Sequence, residues 1–172
     1  MNYAPVVTDL HYRKPREADA TAIWRIARDS RVLDLNSPYC YMLLCRDYTD
    51  TCVVAEAGPR LVGFATAYIP PRQRDTVFVW QVGVAKALRG QGIGAGMLEQ
   101  LLVRGACMGT THLETTITPS NKPSLALFQG FARQMRVNMA EVPGFGPDLF
   151  PDKGHEPEQR YRIGPFPIPL TV

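Results

Sequence analysis

The chain has 172 residues, 45% hydrophobic and 20% charged, with a formal net charge of +3 at pH 7; this is one domain's worth, expected to span residues 1–172 and to fold without metal or disulfide staples. So small and scattered a positive charge argues against a nucleic-acid partner, and no apolar run approaches the length that crosses a membrane. Cys40, Cys45, Cys52 and Cys107 show neither Cys-x-x-Cys pairs nor zinc-spaced histidines, and the N-terminus lacks the pattern of a signal peptide, so the expectation is a cytoplasmic protein with reduced thiols and no metal.

Residues 8–13 alternate as a strand does. Residues 16–28 then carry Ala20, Ile23, Trp24 and Ala27 at helical spacing, which buries one face. Leu35-Asn36-Ser37-Pro38 breaks the chain, and Ser37 as cap with Pro38 at the first helical position starts a segment ending near Arg46. Two β-rich runs, 51–56 and 61–68, are separated by Ala57-Gly58-Pro59-Arg60 and read as an antiparallel pair. A strand over 76–84 leads into a glycine-rich loop and a helix over about 92–105, with Ile93, Met97, Leu98, Leu101 and Leu102 facing inward. A strand over 112–117, a helix over 121–130 started by Ser120 and Pro123, and strands over 135–142 and 159–163 complete the order. A run of strands entering a strand-helix-strand unit predicts an α+β (mixed α/β) fold, a mixed sheet with helices on both faces. Seven prolines fall between Pro143 and Pro169. We expect an irregular insertion over about 143–157 and an extended tail over 164–172.

The most informative segment is Arg89-Gly90-Gln91-Gly92-Ile93-Gly94. A glycine-rich turn between a strand and a helix presents backbone N–H groups and the positive end of the helix dipole, which make an anion site. The glycines fall at every second position with neither Lys nor Ser/Thr after them, which fits neither the dinucleotide fingerprint nor the P-loop.

Arg89-x-x-Gly92-x-Gly94, preceded by Val82-Gly83-Val84, resembles the acetyl-CoA signature of the Gcn5-related N-acetyltransferases (GNAT). Asn121-Lys122-Pro123-Ser124, followed by Leu125, Leu127-Phe128 and Gly130-Phe131, is similar to the helix that contacts the pantetheine arm. The resemblance implies the GNAT acyl-CoA N-acyltransferase fold with a mostly antiparallel central sheet. It implies acetyl-CoA as co-substrate, contacted by Val82, Val84, Arg89, Gly90, Gln91, Gly92, Ile93, Gly94, Asn121, Ser124 and Phe128. Within that superfamily, the segments 33–41, 78–82 and 113–121 resemble the L-2,4-diaminobutyrate acetyltransferases of ectoine biosynthesis. That likeness runs over about residues 10–163. It implies acetyl transfer to the 4-amino group of L-2,4-diaminobutyrate, an osmoprotective role and a homodimer. Another small amine, or a non-catalytic acyl-CoA-binding sensor, are the alternatives.

The chemistry sets what the site must supply. An aliphatic amine resembles lysine, pKa about 10.4, so at pH 7 only about one molecule in several thousand is the neutral nucleophile, a cost of about 4–5 kcal/mol. The leaving thiolate resembles cysteine, pKa about 8.5, and needs less help. For the base, Glu114 is expected: it alternates with His112 and Thr116 on one strand face, and a buried carboxylate is pushed towards basicity. It is alternatively a ligand of the substrate ammonium. Where many GNAT enzymes place a tyrosine to protonate the thiolate, Phe128 stands here, leaving water, Tyr39 or Tyr41 for that role, with water favoured. Asp34 is the expected ligand of the substrate ammonium, with Asn36 and Tyr39 beside it and Trp80 as a wall over the carbon chain. His155 joins the substrate site if the insertion folds over the cleft. Arg31, Arg46, Arg72 and Arg74 are open candidates for the substrate carboxylate. The cysteines lack partners that mark a nucleophile, which favours direct transfer in a ternary complex.

Overall fold

The computed structural model describes residues 9–151 and 153–167. Residue 8 of the first expected strand and residues 168–172 of the expected tail lie outside the described residues. In chain order the elements are β1 (Leu10–Arg13), α1 (Ala20–Ser30), α2 (Pro38–Asp47), β2 (Val53–Ala57), β3 (Arg60–Tyr68), β4 (Thr76–Val84), α3 (Ile93–Leu102), β5 (His112–Ile117), α4 (Lys122–Met135), β6 (Asn138–Phe145) and β7 (Glu158–Gly164). Seven strands form one sheet in the order β1-β2-β3-β4-β5-β7-β6. Every pairing is antiparallel except β4 with β5.

The helices form where the apolar spacing predicts. α2 starts as read, with Pro38 at N1 and the Ser37 hydroxyl accepting from the Cys40 N–H at 3.2 Å. α1 and α2 pack Ala20, Ile23, Ala27, Tyr41, Leu44 and Cys45 against Val54 and Phe64 on one sheet face. The opposite face takes α3 and α4, with Met97, Leu98, Leu101, Phe128 and Phe131 closing the larger core over Val77, Val79, Leu113 and Ile163.

Boundaries differ from the sequence reading at several elements. α4 runs on to Met135, because Phe131 and Ala132 continue the buried stripe past Gly130. β6 extends through Pro143 and Gly144, which the sheet accommodates as a register shift between Val142 and Phe145 on an edge strand. The irregular insertion therefore begins at Gly146 instead of Pro143. α3 ends at Leu102, and residues Gly105–Cys107 form a separate 3₁₀ turn. In the tail, Phe166 turns back into the core, its N–H donating to the Thr111 carbonyl at 2.7 Å.

The parallel ladder between β4 and β5 is short and decides where a ligand fits. It covers Thr76↔His112, Val77↔Leu113 and Phe78↔Glu114 and then stops, although β4 continues to Val84 and β5 to Ile117. On its other edge β4 pairs Val79 with Ala67 and Gln81 with Thr66, so Trp80 is an extra residue, a bulge. A bulge bends its strand and ends regular pairing, and bulges concentrate next to active sites. Beyond Phe78 the two strands part.

Arg13 ties β1 to the body of the sheet. Its guanidinium donates to both Asp19 oxygens, at 2.6 and 2.9 Å, and to Glu56 on β2. Burial pushes the Asp19 carboxyl up, but the Arg13 guanidinium and the Arg16 N–H outweigh it and hold it below the ordinary range. The same guanidinium lowers Glu56. A carboxylate lowered in the folded state contributes stability above its unfolded value, about 4, and loses it as pH falls through the folded value. Arg13→Met is expected to cost about 2 kcal/mol at pH 7. In thermal melts from pH 7 to pH 3 the gap between wild type and variant should close; a gap constant with pH would show that the ion pairs do not carry it.

Candidate active site

Two adjoining cavities lie along β4 past its last pair with β5, and both are lined by Val32 and Leu33 from the segment after α1. The larger, about 380 Å³, runs between Val82, Gly83 and Val84 of β4, the loop at 88–95, and Pro123, Ser124, Ala126 and Leu127 of α4. Gly90 and Gly92 both have φ of +78°, a left-handed conformation that costs other L-residues about 1–2 kcal/mol. Gly92 is also the N-cap of α3, where no side chain takes up the backbone donors of the first turn and no acidic residue stands. The loop is braced by Arg89, whose Nε donates to the Val84 carbonyl at 3.1 Å. Free first-turn N–H groups at the positive end of a helix form a site for phosphate oxygens.

The smaller cavity, about 100 Å³, is lined by Asp34, Trp80, Gln81, Thr116, Thr118, Asn121 and Glu158 among others. Its wall is held by a buried relay. The Tyr41 hydroxyl donates to Gln81 Oε1 at 2.9 Å, and Gln81 Nε2 donates to the Asp34 carbonyl at 2.7 Å. Burial raises the Tyr41 phenol above its ordinary value, so at neutral pH it keeps the proton it donates. The Asp34 loop is thus fixed to the centre of the sheet while its carboxylate stays exposed. Asp34 and Glu158 bring two carboxylates to one small cavity, and neither makes an ion pair among the described residues. Such a cavity suits an amine-bearing ligand.

The structure sorts the residues read from the sequence. Val82, Val84, Arg89, Gly90, Gly92, Ile93, Gly94 and Ser124 line the larger cavity, and Asp34 and Trp80 the smaller. Gln91 is exposed and is not among the residues lining the larger cavity. Asn121 lines the smaller cavity instead of the larger, and its Oδ1 caps α4 by accepting from the Ser124 N–H at 3.2 Å. Phe128 lines neither cavity: it lies in the core behind α4, and Leu127 faces the cavity instead. Tyr39, one position into α2, is 66% exposed and outside both cavities, because helical geometry turns Tyr41 inward and Tyr39 outward. Asn36 lies beside the Tyr41 hydroxyl. His155 stacks on Phe150, ring centroids 3.7 Å apart, and lines neither cavity. The insertion is docked by its neighbour Glu156, which accepts from the Ser120 N–H at 2.9 Å. Arg31, Arg46, Arg72 and Arg74 line neither cavity.

Glu114 is buried, but in surroundings that change its role. Arg160 Nε donates to Oε2 at 2.6 Å, Arg162 Nη1 to Oε1 at 2.5 Å and Gln73 Nε2 to Oε1 at 3.1 Å. Arg162 also reaches Asp75 at 3.1 Å. Glu114 is thus the counter-ion that the two guanidinium groups share, its own side chain 3% exposed. This geometry makes it a shared anchor for two arginines. Sequence reasoning missed Glu158, Arg160 and Arg162; three charged residues alternating along the expected strand 159–163 and its edge were the available signal. Burial raises all four thiols, Cys45 to about 12 and Cys52 and Cys107 to about 11, and none of them lines either cavity.

Comparison with known proteins places this geometry. The acetyltransferase (GNAT) family model matches residues 15–131. The L-2,4-diaminobutyric acid acetyltransferase of Nocardia farcinica is 50% identical over 154 residues, covering 90% of this chain and 79% of the relative. That of Marinococcus halophilus is 46% identical, covering 93% and 92%. Among solved structures, diaminobutyrate acetyltransferase EctA from Paenibacillus lautus, in complex with L-2,4-diaminobutyric acid and coenzyme A, superposes with a TM-score of 0.88 at 46% identity, covering 92% of this chain and 96% of that one. The chain belongs to the GNAT acetyltransferases and, within them, to the L-2,4-diaminobutyric acid acetyltransferases.

Proposed function

We propose that this protein transfers the acetyl group of acetyl-CoA to the 4-amino group of L-2,4-diaminobutyrate, giving N4-acetyl-L-2,4-diaminobutyrate for ectoine synthesis and osmoprotection. The observation that carries the reading is the junction of two chemically opposite cavities at Val32 and Leu33, one built for phosphate and one holding two carboxylates. The fit to the coenzyme rests on the first turn of α3, which no side chain caps, and on the larger cavity of about 380 Å³, which adjoins the smaller at Val32 and Leu33. Residues 90–94 hold the pyrophosphate, and the unpaired edge of β4 past Phe78 faces the pantetheine arm.

In the acceptor cavity Asp34 holds the α-ammonium and Trp80 covers the carbon chain. Fixing the α-amine in this way leaves the 4-nitrogen at the thioester, so placement sets regioselectivity. The neutral 4-amine attacks the thioester carbonyl, the C–S bond breaks, and the amine proton passes to Glu158, directly or through one water. The departing thiolate is protonated through water, which takes up the proton left on Glu158 and so restores the carboxylate, since Tyr41 is buried on Gln81 and Phe128 carries no proton. Transfer is direct, in a ternary complex. The exposed apolar residues Leu35, Tyr39 and Met42 form one patch around the start of α2 that supports a homodimer, and the free thiols and the coenzyme support a cytoplasmic location.

Incubation with acetyl-CoA and L-2,4-diaminobutyrate, read by NMR, should give acetylation confined to the 4-nitrogen; acetylation at the 2-nitrogen, or none, would contradict the reading. Gly92→Val forces a β-branched residue into a left-handed conformation at the anion site, so affinity for coenzyme A should fall about tenfold or more; unchanged affinity in a binding titration would move the pyrophosphate elsewhere. Glu158→Gln should lower kcat about 100-fold, with coenzyme A affinity intact and the residual rate rising with pH as free amine increases. A wild-type pH–rate profile in that variant would remove Glu158 as base.

A further inference from the structure

We infer that Arg160 binds the substrate carboxylate, with Glu114 as the positioning residue that aims it, an inference that rests on the diamine reading above. On β7 the Arg160 Cα is paired with that of Thr116, which lines the acceptor cavity, and Glu158, two residues earlier on the same face, lines it too. The guanidinium carbon lies 5.6 Å from the centroid of Phe78, the residue at which β4 and β5 part and two before Trp80. Arg160 does not itself line the acceptor cavity; it stands beside it, next to Thr116 and Glu158 of its wall.

Its bonding leaves capacity for an anion. Arg160 spends Nε and Nη2 on Glu114 Oε2, and its Nη1 has no partner among the described residues. Arg162 differs, since Nη1 goes to Glu114 and Nη2 to Asp75, and both its terminal nitrogens are taken. The side chain of Arg160 keeps 26% exposure while that of Glu114 keeps 3%, so the arginine reaches solvent and its anchor does not. A guanidinium locked by a buried carboxylate is pre-organised, and its remaining donors meet a second carboxylate at little entropic cost.

Charge complementarity points the same way. The acceptor cavity offers Asp34 and Glu158 to the two nitrogens of a diamine. A ligand bearing only amines would be satisfied there, and an α-carboxylate would be repelled unless a cation stood beside it. Arg160 supplies that cation, which makes it the residue that separates a diamino acid from a simple diamine.

The test is calorimetric binding of three ligands to the protein saturated with coenzyme A: L-2,4-diaminobutyrate, its neutral carboxamide, and 1,3-diaminopropane, which lacks the carboxylate. Wild type should prefer the acid over both by about 10–100-fold, the range of a charged hydrogen bond. Arg160→Gln should lose that preference, with coenzyme A affinity unchanged as the check on folding; Arg160→Lys should keep part of it, and Arg31→Gln all of it. Equal wild-type binding of acid and carboxamide would overturn the inference without any variant, as would an Arg160→Gln protein that still selects the acid. Selective binding through Arg160 with no N4-acetyl product would overturn the acetyl-transfer reading and leave the carboxylate site standing. Turnover of diaminobutyrate with selectivity intact in Arg160→Gln would do the reverse.

Discussion

The three-residue ladder between β4 and β5 is the constraint on which the site depends. Had the parallel pairing continued to the end of β5, Val79 to Gln81 would be hydrogen-bonded to the strand beside them and no space would remain between Gln81 and Thr116. The bulge at Trp80 ends the regular edge, and the helices on either face then close the gap from above and below without filling it. Both cavities exist because backbone pairing that could have been completed is withheld.

Electrostatics divides that gap into two ends. At the loop before α3 the partial positive charge of oriented N–H groups faces the larger cavity, and no acidic side chain in the first turn opposes it. At the other end Asp34 and Glu158 set a negative field, backed by the balanced cluster of Glu114, Asp75, Arg160 and Arg162. The two ends adjoin at Val32 and Leu33, which line both cavities.

Local signals in the sequence were enough for much of the fold. Apolar runs bounded by turns placed strands over 76–84 and 112–117 where β4 and β5 lie, and Ser37-Pro38 marked the start of α2. The glycine loop was readable because φ above zero at Gly90 and Gly92 leaves its mark in residue type. What depends on strand order was not legible. Glu114 looked like a lone buried carboxylate until β7 inserted between β5 and β6 and set Arg162 opposite it and Arg160 beside it. Glu158 gained its meaning from the same pairing, more than forty residues along the chain from Glu114. Tyr39 and Tyr41 were indistinguishable by composition, and Leu127 and Phe128 by apolarity; the phase of each helix chose between them. Gly130 read as a stop because glycine weakens helices, yet tertiary packing of Phe131 carried α4 through it.

The most direct measurement is a crystal structure of this protein with coenzyme A and L-2,4-diaminobutyrate bound together. The account predicts the pyrophosphate on the N–H groups of residues 90–94, the pantetheine arm between β4 and β5, and the 4-nitrogen within about 3.5 Å of where the thioester carbon would sit. A diamine bound outside the cavity between Asp34 and Glu158, or a coenzyme that leaves the β4–β5 gap empty, would contradict it.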